Sequence, residues 1–161
     1  MPFRIFLSYN SNDLIHATAV RDYFGRIPNT TVYFAEEDLR AGSLATNITP
    51  QIQNCNMFMV LISRNSQNSA WVQQEIGIAR GSNKIILPLL LDTESRPLGT
   101  ISEYRYYPIH DLHTWNTNLN SLYAYITNLA TQQTNSEQFG NAILSLAAVA
   151  GLGLLLFGGD R

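Results

Sequence analysis

The sequence is poor in charge, in lysine and in cysteine, and each shortage narrows the possible functions. Charged residues make up 14% of the 161 residues, and Lys84 is the single lysine, whereas ordinary domains carry roughly 25% charged residues. With a formal net charge of −2, the chain has no basic footprint for binding nucleic acid. Cys55 is the single cysteine, so there is no internal disulfide, as is typical of a reducing compartment. No base is evident near Cys55 in the sequence, which favours a structural thiol over a nucleophile.

The chain also lacks an apolar leader, and its one long apolar run lies at the far end. It opens directly on the strand pattern FRIFLSY, so no secretory signal is expected. Residues 139–159 form a run of 21 residues without a charge. As a helix this run would span about 31 Å at ~1.5 Å per residue, enough to cross a bilayer core. We therefore predict a transmembrane helix at 139–159 that anchors a cytoplasmic domain. The alternatives are a helix buried in a soluble oligomer and a terminal segment docked on the domain.

The first part of the chain alternates strand and helix patterns. Apolar residues make up 45% of the chain, so a disordered chain is not expected. Strands are predicted at 3–9, 31–34, 57–62, 84–91 and 104–109. Helices are predicted from Leu14 to Phe24 behind an Asn12 or Asp13 cap, from Ser43 to Cys55, around Trp71–Ala79, and over 115–130. Pro88 inside the fourth strand predicts a bulge or an edge position.

This alternation predicts a parallel sheet with helices on both faces. We expect an α/β fold, a flavodoxin-like three-layer sandwich with a parallel five-stranded sheet in the order 2-1-3-4-5, plus the C-terminal hydrophobic helix. The predicted domain spans residues 1–131, and a polar linker at 132–138 leads to the transmembrane segment.

In this strand order a ligand crevice forms where the carboxyl ends of strands one and three diverge. The loops after the first three strands should line it together. The polar residues on the first two of these loops are Ser8, Tyr9 and Asn10, then Asp38, Arg40, Gly42 and Ser43. The third loop runs from Ser63 to Ser69 and opens into the helix that carries Trp71 and Glu75.

Trp71 and Glu75 lie one turn apart, beside the apolar stripe of their helix. Val72, Ile76 and Ala79 form that stripe, and the Trp71–Glu75 face is rotated from it by about 100°. We therefore expect the pair to flank the core on the crevice side. A tryptophan beside a carboxylate suits an aromatic, partly cationic ligand. Spacing alone favours a simpler interpretation, a tryptophan that covers the domain edge and a solvated glutamate.

Four segments together resemble the TIR (Toll/interleukin-1 receptor-like) family across about residues 3–130. They are RIFLSYNSND, VYFAEEDLRAGSLATNITPQIQNC, FMVLISRNSQNSAWVQQEI and IILPLLLD. Each motif is short, but the four follow one another in the family's order. The family divides in function, since animal receptor and adaptor members mostly act as assembly modules, whereas many bacterial and plant members cleave NAD+ at the nicotinamide–ribose bond.

The resemblance implies that Glu75 is the catalytic glutamate and that Trp71 is the family's tryptophan one turn earlier. It also implies NAD+ as substrate, no metal and no further cofactor, and activation by self-association. We expect Ser8, Tyr9 and Asn10 to border the substrate, with Tyr9 as a stacking surface. The amides of Gly42 and Ser43 are candidates for a phosphate, and Arg40, near Asp38, for the pyrophosphate. Some enzymatic members carry an acidic residue at the position of Arg40, which leaves the ribose contacts open.

The chemistry of NAD+ agrees with a single carboxylate. Nicotinamide is cationic in NAD+ and departs neutral, so no general acid is needed, whereas ordinary glycosidases use two carboxylates. The oxocarbenium-like ribose then requires a nearby anion, which Glu75 can supply. The resemblance, with which this chemistry agrees, implies an NAD+ glycohydrolase that gives ADP-ribose or a cyclic variant, in prokaryotic immune defence or signalling.

Two other functions stay open. The first is a non-catalytic scaffold that assembles with other TIR domains, and the second is a related N-glycosidic transfer, such as moving deoxyribose between bases. A metal site at His110, Asp111 and His113 is a weak hypothesis, because the three residues share one loop and no distant ligand joins them.

Overall fold

A computed structural model describes residues 1–34 and 48–139, with side chains through residue 136. Five strands form its sheet, and five helices accompany them in this part of the chain. The strands β1 to β5 are Phe3–Ser8, Thr30–Phe34, Met57–Ile62, Ile85–Leu90 and Tyr107–Pro108. The helices α1 to α5 are Leu14–Phe24, Ile48–Asn54, Arg64–Gln67, Ala70–Gly81 and Leu112–Phe139.

The sheet is parallel throughout and has the order β2-β1-β3-β4-β5. This confirms the predicted α/β fold and its strand order. All six residues of β3 are buried, as expected for a central parallel strand that is covered on both faces.

Alternate residues of β1 enter two separate apolar clusters, one on each face of the sheet. Ile5 and Leu7 join the cluster beneath α1 and α5. Phe6 joins the cluster beneath α2 and α4, where its ring stacks on Phe58 with the centroids 5.6 Å apart. The two clusters give the molecule its three layers, and the helix that carries Trp71 and Glu75 lies on the α2–α4 side.

Pro88 lies where β4 has no neighbour on its outer side. The strand β4 pairs with β3 along its whole length, but β5 pairs only with Leu89 and Leu90. Neighbouring residues of a strand direct their backbone groups to opposite neighbouring strands, so Pro88 and Leu90 direct theirs to the same side of β4. This is the β5 side, because Leu90 O accepts from Ile109 N at 2.8 Å. The proline therefore removes no bond from the β3–β4 ladder, which agrees with the predicted edge position.

The last helix is longer than its apolar pattern predicts. It begins at Leu112 and continues through residues 132–138 to Phe139, so the segment that we predicted as a polar linker is helical. No glycine or proline interrupts this stretch, and the hydroxyls of Thr131 and Thr134 donate to carbonyls one turn back, at 2.8 Å and 3.0 Å. Asn29 also donates to Thr134 Oγ1 at 3.0 Å, which ties the extension to the domain.

The expected membrane helix cannot be placed on this structure. In residues 1–34 and 48–139, no helix combines the length and apolar character that crossing a bilayer requires. Apart from Phe139, the segment 139–159 lies outside the described residues.

Candidate active site

The carboxylate of Glu75 is buried at the carboxyl edge of the sheet. Ser8, the last residue of β1, donates a hydrogen bond from Oγ to Glu75 Oε2. Ser8 is 0% exposed and Glu75 is 1% exposed. The strand β1 has β2 on one side and β3 on the other, so the pair lies beside the point where ligands bind in sheets of this topology. The structure thus brings together two residues that the sequence predicted for one site.

Glu75 is more deeply buried than the helix pattern indicates. We expected it to flank the core, but the buried side of α4 includes Glu75 together with Val72, Ile76 and Ala79. A carboxylate inside a protein needs hydrogen-bond donors to offset its lost hydration, and the Ser8 hydroxyl supplies one. The two residues are 67 positions apart, so no local pattern could reveal this bond.

Two serine caps fix the chain between β3 and α4. Ser63 caps α3, where its Oγ accepts from Asn65 N and Ser66 N at 3.1 Å each, and Ser66 Oγ accepts from Ser63 N at 2.8 Å. Ser69 caps α4, with its Oγ accepting from Val72 N at 3.3 Å. Side-chain caps of this kind satisfy amides that a helix leaves unpaired. They therefore set where α4 begins and where it presents Glu75.

Asp13 is a second buried carboxylate at the same edge, and its role is not evident from the sequence pattern. It is 5% exposed. Ser63 Oγ donates to Asp13 Oδ2 at 2.5 Å, and Asn65 Nδ2 donates to Asp13 Oδ1 at 2.9 Å. We considered Asp13 only as a helix cap, but its side chain makes no capping bond to α1. It joins the loop after β1 to the loop after β3 instead.

Tyr9 and Asn10, which we expected at the pocket, make contacts within the fold instead. Tyr9 is 3% exposed and lies in the cluster on the α1–α5 side, with its ring 5.0 Å from the Phe34 ring. Ser8 and Tyr9 are neighbours in an extended strand end, so their side chains point to opposite faces. Tyr9 is therefore not placed to stack on a ligand at Glu75 in this conformation. Asn10 caps the 3-10 turn Ser11–Asp13, and its Oδ1 accepts from Asn12 N at 3.0 Å.

The remaining residues of the predicted site cannot be located. Asp38, Arg40, Gly42 and Ser43 all lie outside the described residues. Trp71 is described and is partly buried against the apolar cluster on the Glu75 side of the sheet. Among the described residues its indole Nε1 is buried and has no hydrogen-bond partner. This donor is thus open to a ligand or to a rearranged neighbour.

Cys55 has the environment of a structural thiol. It is 4% exposed, and burial raises the pKa of its thiol to about 11, although the nearby Lys84 charge acts in the opposite direction. A neutral thiol is a poor nucleophile, which agrees with the structural role predicted for this cysteine.

The His110–Asp111 pair belongs to a helix cap. His110 Nε2 lies 3.0 Å from Asp111 Oδ2. Asp111 Oδ1 accepts from Thr114 N at 2.8 Å, and Thr114 Oγ1 accepts from Asp111 N at 3.2 Å. The Thr114 amide bond lowers the pKa of Asp111. Over the parts of the chain that are described, no three His, Cys, Asp or Glu residues are grouped so as to hold a metal ion.

The family model for the TIR domain matches residues 5–123. The chain belongs to the TIR domain family. This confirms the resemblance found in the sequence, and the match includes Ser8, Asp13, Trp71 and Glu75. No curated protein matches the chain.

Solved structures resemble this TIR domain at low sequence identity. The CMP N-glycosidase BcmB of Clostridium botulinum is 16% identical with a TM-score of 0.50, and the match covers 73% of this chain and 98% of that one. The TIR domains of the activated Roq1 resistosome, which recognises the pathogen effector XopQ, are 17% identical with a TM-score of 0.48. That match covers 56% of this chain and 59% of the Roq1 chain. At such identities the likeness concerns the fold alone.

Proposed function

We propose that this TIR domain is an NAD+ glycohydrolase that releases nicotinamide and forms ADP-ribose or a cyclic variant of it. The observation that carries the proposal is the buried Glu75 carboxylate, which Ser8 holds at the carboxyl edge of the sheet. It occupies the position at which the family resemblance implies a catalytic glutamate, one turn after Trp71. A domain that serves only for assembly does not need a carboxylate there.

In the proposed reaction the nicotinamide–ribose bond breaks, and its electron pair leaves with the ring nitrogen. Nicotinamide becomes neutral, so no proton has to be delivered to it. The positive charge that develops on the ribose is stabilised by the Glu75 carboxylate, and a fixed charge in a dry site is far more effective than one in water. In hydrolysis a water molecule then forms a bond to the ribose and loses a proton to solvent. In cyclisation an atom of the substrate itself attacks the ribose.

Ser8 has a positioning role in this proposal. Its hydroxyl donates to Glu75 Oε2, which fixes the carboxylate and occupies one of its two oxygens. Trp71 lies one turn earlier on α4, and its buried indole N–H has no hydrogen-bond partner in the described part of the chain. Asn10, Asp38, Arg40, Gly42 and Ser43 remain proposed substrate contacts, and Tyr9 could join them only if its side chain left the core.

The burial of Glu75 supports activation by self-assembly. At 1% exposure the carboxylate is closed to a ribose, so neighbouring residues must move before NAD+ can reach it. Assembly of several TIR domains would provide the free energy for such a movement, because a partner that binds only the open state shifts the population towards it. We propose this activation for a membrane-anchored cytoplasmic TIR domain in prokaryotic immune defence or signalling.

The direct test is NAD+ consumption by the concentrated full-length protein, with the products separated, for wild type and Glu75→Ala. Loss of the anion should slow nicotinamide release by roughly a thousandfold or more. Product analysis would distinguish hydrolysis from cyclisation, and trials with deoxynucleosides would detect transfer of deoxyribose between bases. If wild type and variant are equally inert after forced assembly, the catalytic proposal fails.

A non-catalytic assembly module is the second candidate. The observation that favours it is the same 1% exposure of Glu75, since a carboxylate that never opens to solvent can only be structural. In that case Glu75→Ala would weaken folding or assembly, and NAD+ would not be consumed under any condition.

A further inference from the structure

A cavity lies on the α2 side of the sheet, away from Glu75. Its volume is about 320 Å³, and the described part of its lining comes from β1, β2 and α2. These lining residues are Arg4, Tyr33, Pro50, Gln51 and Asn54. Small-molecule sites start at roughly 300 Å³ and combine an aromatic wall with a few polar groups. The cavity therefore has the size and composition of a site for a small ligand.

Arg4 gives the cavity a positive charge. Within residues 1–34 and 48–136 no carboxylate pairs with Arg4, whereas Arg21 pairs with Asp22 and Arg64 pairs with Glu94. The Arg4 side chain is partly buried, and its Cζ lies 6.0 Å from the centre of the Tyr33 ring. A guanidinium that is partly removed from water and faces no carboxylate has a strong preference for an added anion.

The backbone holds Arg4 in place for this role. Arg4 N donates to Asn56 Oδ1 at 2.7 Å, and Asn56 N donates to Arg4 O at 2.8 Å. Asn56 lies two residues after the end of α2, so these two bonds also fix that end of α2 against the strand. On α2, Pro50 and Asn54 are one turn apart and share a face, which places the Asn54 amide on the cavity side with Gln51 beside it.

This cavity is distinct from the candidate active site. Arg4, Phe6 and Ser8 are alternate residues of β1 and point to the same face, so Arg4 and Ser8 are about 13 Å apart along the strand. The stacked rings of Phe6 and Phe58 lie between them. A ligand of the cavity would therefore not touch the Glu75 carboxylate.

We propose that this cavity binds a small anion that carries a planar ring, of the size of a mononucleotide. Arg4 pairs with its phosphate or carboxylate, and the ring packs on Tyr33. The side-chain amides of Gln51 and Asn54, which offer both donors and acceptors, hydrogen-bond to its polar edge. This proposal does not depend on whether the protein cleaves NAD+.

The test is isothermal titration calorimetry on the full-length protein with three probes that separate the parts of the ligand. AMP has both a ring and an anion, adenosine lacks the anion, and inorganic phosphate lacks the ring. AMP should bind more tightly than either of the others. Arg4→Gln should weaken AMP binding by about tenfold or more, because one charge-assisted contact is lost.

The controls separate this site from other effects of charge. Arg26→Gln removes an exposed arginine far from the cavity and should leave AMP binding within about twofold, as exposed charges contribute little. Binding that is lost in Arg4→Gln but kept in Arg26→Gln would assign AMP to this cavity, because Arg4 lies about 13 Å from Ser8 along β1, away from the candidate active site. If Arg4→Gln does not fold, Asn54→Leu at an exposed helix end replaces it and should weaken AMP in the same way.

Three results would overturn the proposal. The first is that AMP at millimolar concentration gives no heat of binding. The second is that Arg4→Gln or Asn54→Leu binds AMP as tightly as the wild type does. The third is that adenosine or phosphate binds as tightly as AMP.

Discussion

Two buried carboxylates lie at the same edge of the sheet, and they differ in what surrounds them. Asp13 and Glu75 each accept a hydrogen bond from a serine that ends, or directly follows, a central strand: Ser63 after β3 and Ser8 in β1. Asp13 is also bonded by the Asn65 side chain, and Ser63 in turn caps α3. Its partners therefore belong to the junction of β3 and α3. Glu75 lies in the middle of the longer helix α4, and its partner belongs to a strand.

The difference indicates different tasks for the two carboxylates. If Asp13 is removed, two side-chain donors at the start of α3 lose their acceptor, and this end of α3 loses its tie to the turn after β1. If Glu75 is removed, the strand and helix that hold it remain joined by the apolar cluster around Phe6, Val72 and Ile76. We therefore expect Asp13 to contribute mainly to stability and Glu75 mainly to activity.

Glu75→Gln should show the largest effect of the series and should separate activity from stability. We expect nicotinamide release to fall by roughly a thousandfold, because the amide has no charge with which to stabilise the ribose cation. The melting temperature should be unchanged or higher, since burying a charge is costly. Both quantities are measured on the same preparation. Unfolding of this variant would contradict the division of tasks.

Asp13→Ala should give the largest loss of stability. The Ser63 hydroxyl and the Asn65 amide would be left without their acceptor, which costs about 2–3 kcal/mol of the free energy of unfolding. Urea denaturation measures this loss.

Asp22→Ala is the matched control for Asp13→Ala. Asp22 pairs with Arg21 on the surface, and its side chain is 59% exposed, so we expect less than about 1 kcal/mol. Equal losses in the two variants would mean that the loop tie contributes no more than a surface ion pair.

Ser8→Ala should have an intermediate effect on activity. Without the hydroxyl the Glu75 carboxylate keeps its charge but loses an orienting bond, so we expect kcat to fall by about tenfold with little change in KM. Ser11→Ala, at an exposed position nearby, is the control. A variant as inactive as Glu75→Gln would show that Ser8 is more than a positioning residue.

Asp92, which follows β4, is a third carboxylate, and its contribution to stability depends on pH. Burial raises its pKa, but hydrogen bonds from Ser95 N at 2.6 Å, Ser95 Oγ at 2.9 Å and Arg64 N outweigh burial and lower the pKa below 3.8. A depressed pKa means that the stabilisation is complete above the unfolded value of 3.8 and is lost as pH falls through the folded pKa.

Asp92→Asn should therefore slightly reduce the free energy of unfolding at neutral pH. Below about pH 4 that free energy should decline less steeply than in the wild type. Denaturation at a series of pH values measures this small effect. A decline as steep in Asp92→Asn as in the wild type would assign acid sensitivity to other groups.

Local sequence was sufficient for some features of the site. The motif around Trp71 and Glu75 identified the helix and the glutamate, and the strand–helix alternation placed Ser8 at the same edge of the sheet. Strand alternation also predicts the position of Tyr9. Consecutive strand residues point to opposite faces of the sheet, so the Tyr9 side chain lies on the face opposite to Ser8. The sequence also indicated that α5 continues through residues 132–138, because no glycine or proline lies in that segment before Gly140.

The sequence by itself determined the family, the parallel sheet and its strand order, because uninterrupted apolar runs and helical spacing are local properties of a chain. Only the tertiary structure decided which polar groups meet inside it. Asp13 and Ser63 are 50 residues apart, and Ser8 and Glu75 are 67 apart. The cavity at Arg4 likewise joins two strands and a helix. No periodicity encodes such pairs, since they form only when the packed apolar faces bring distant polar side chains into one dry space where each must find a partner.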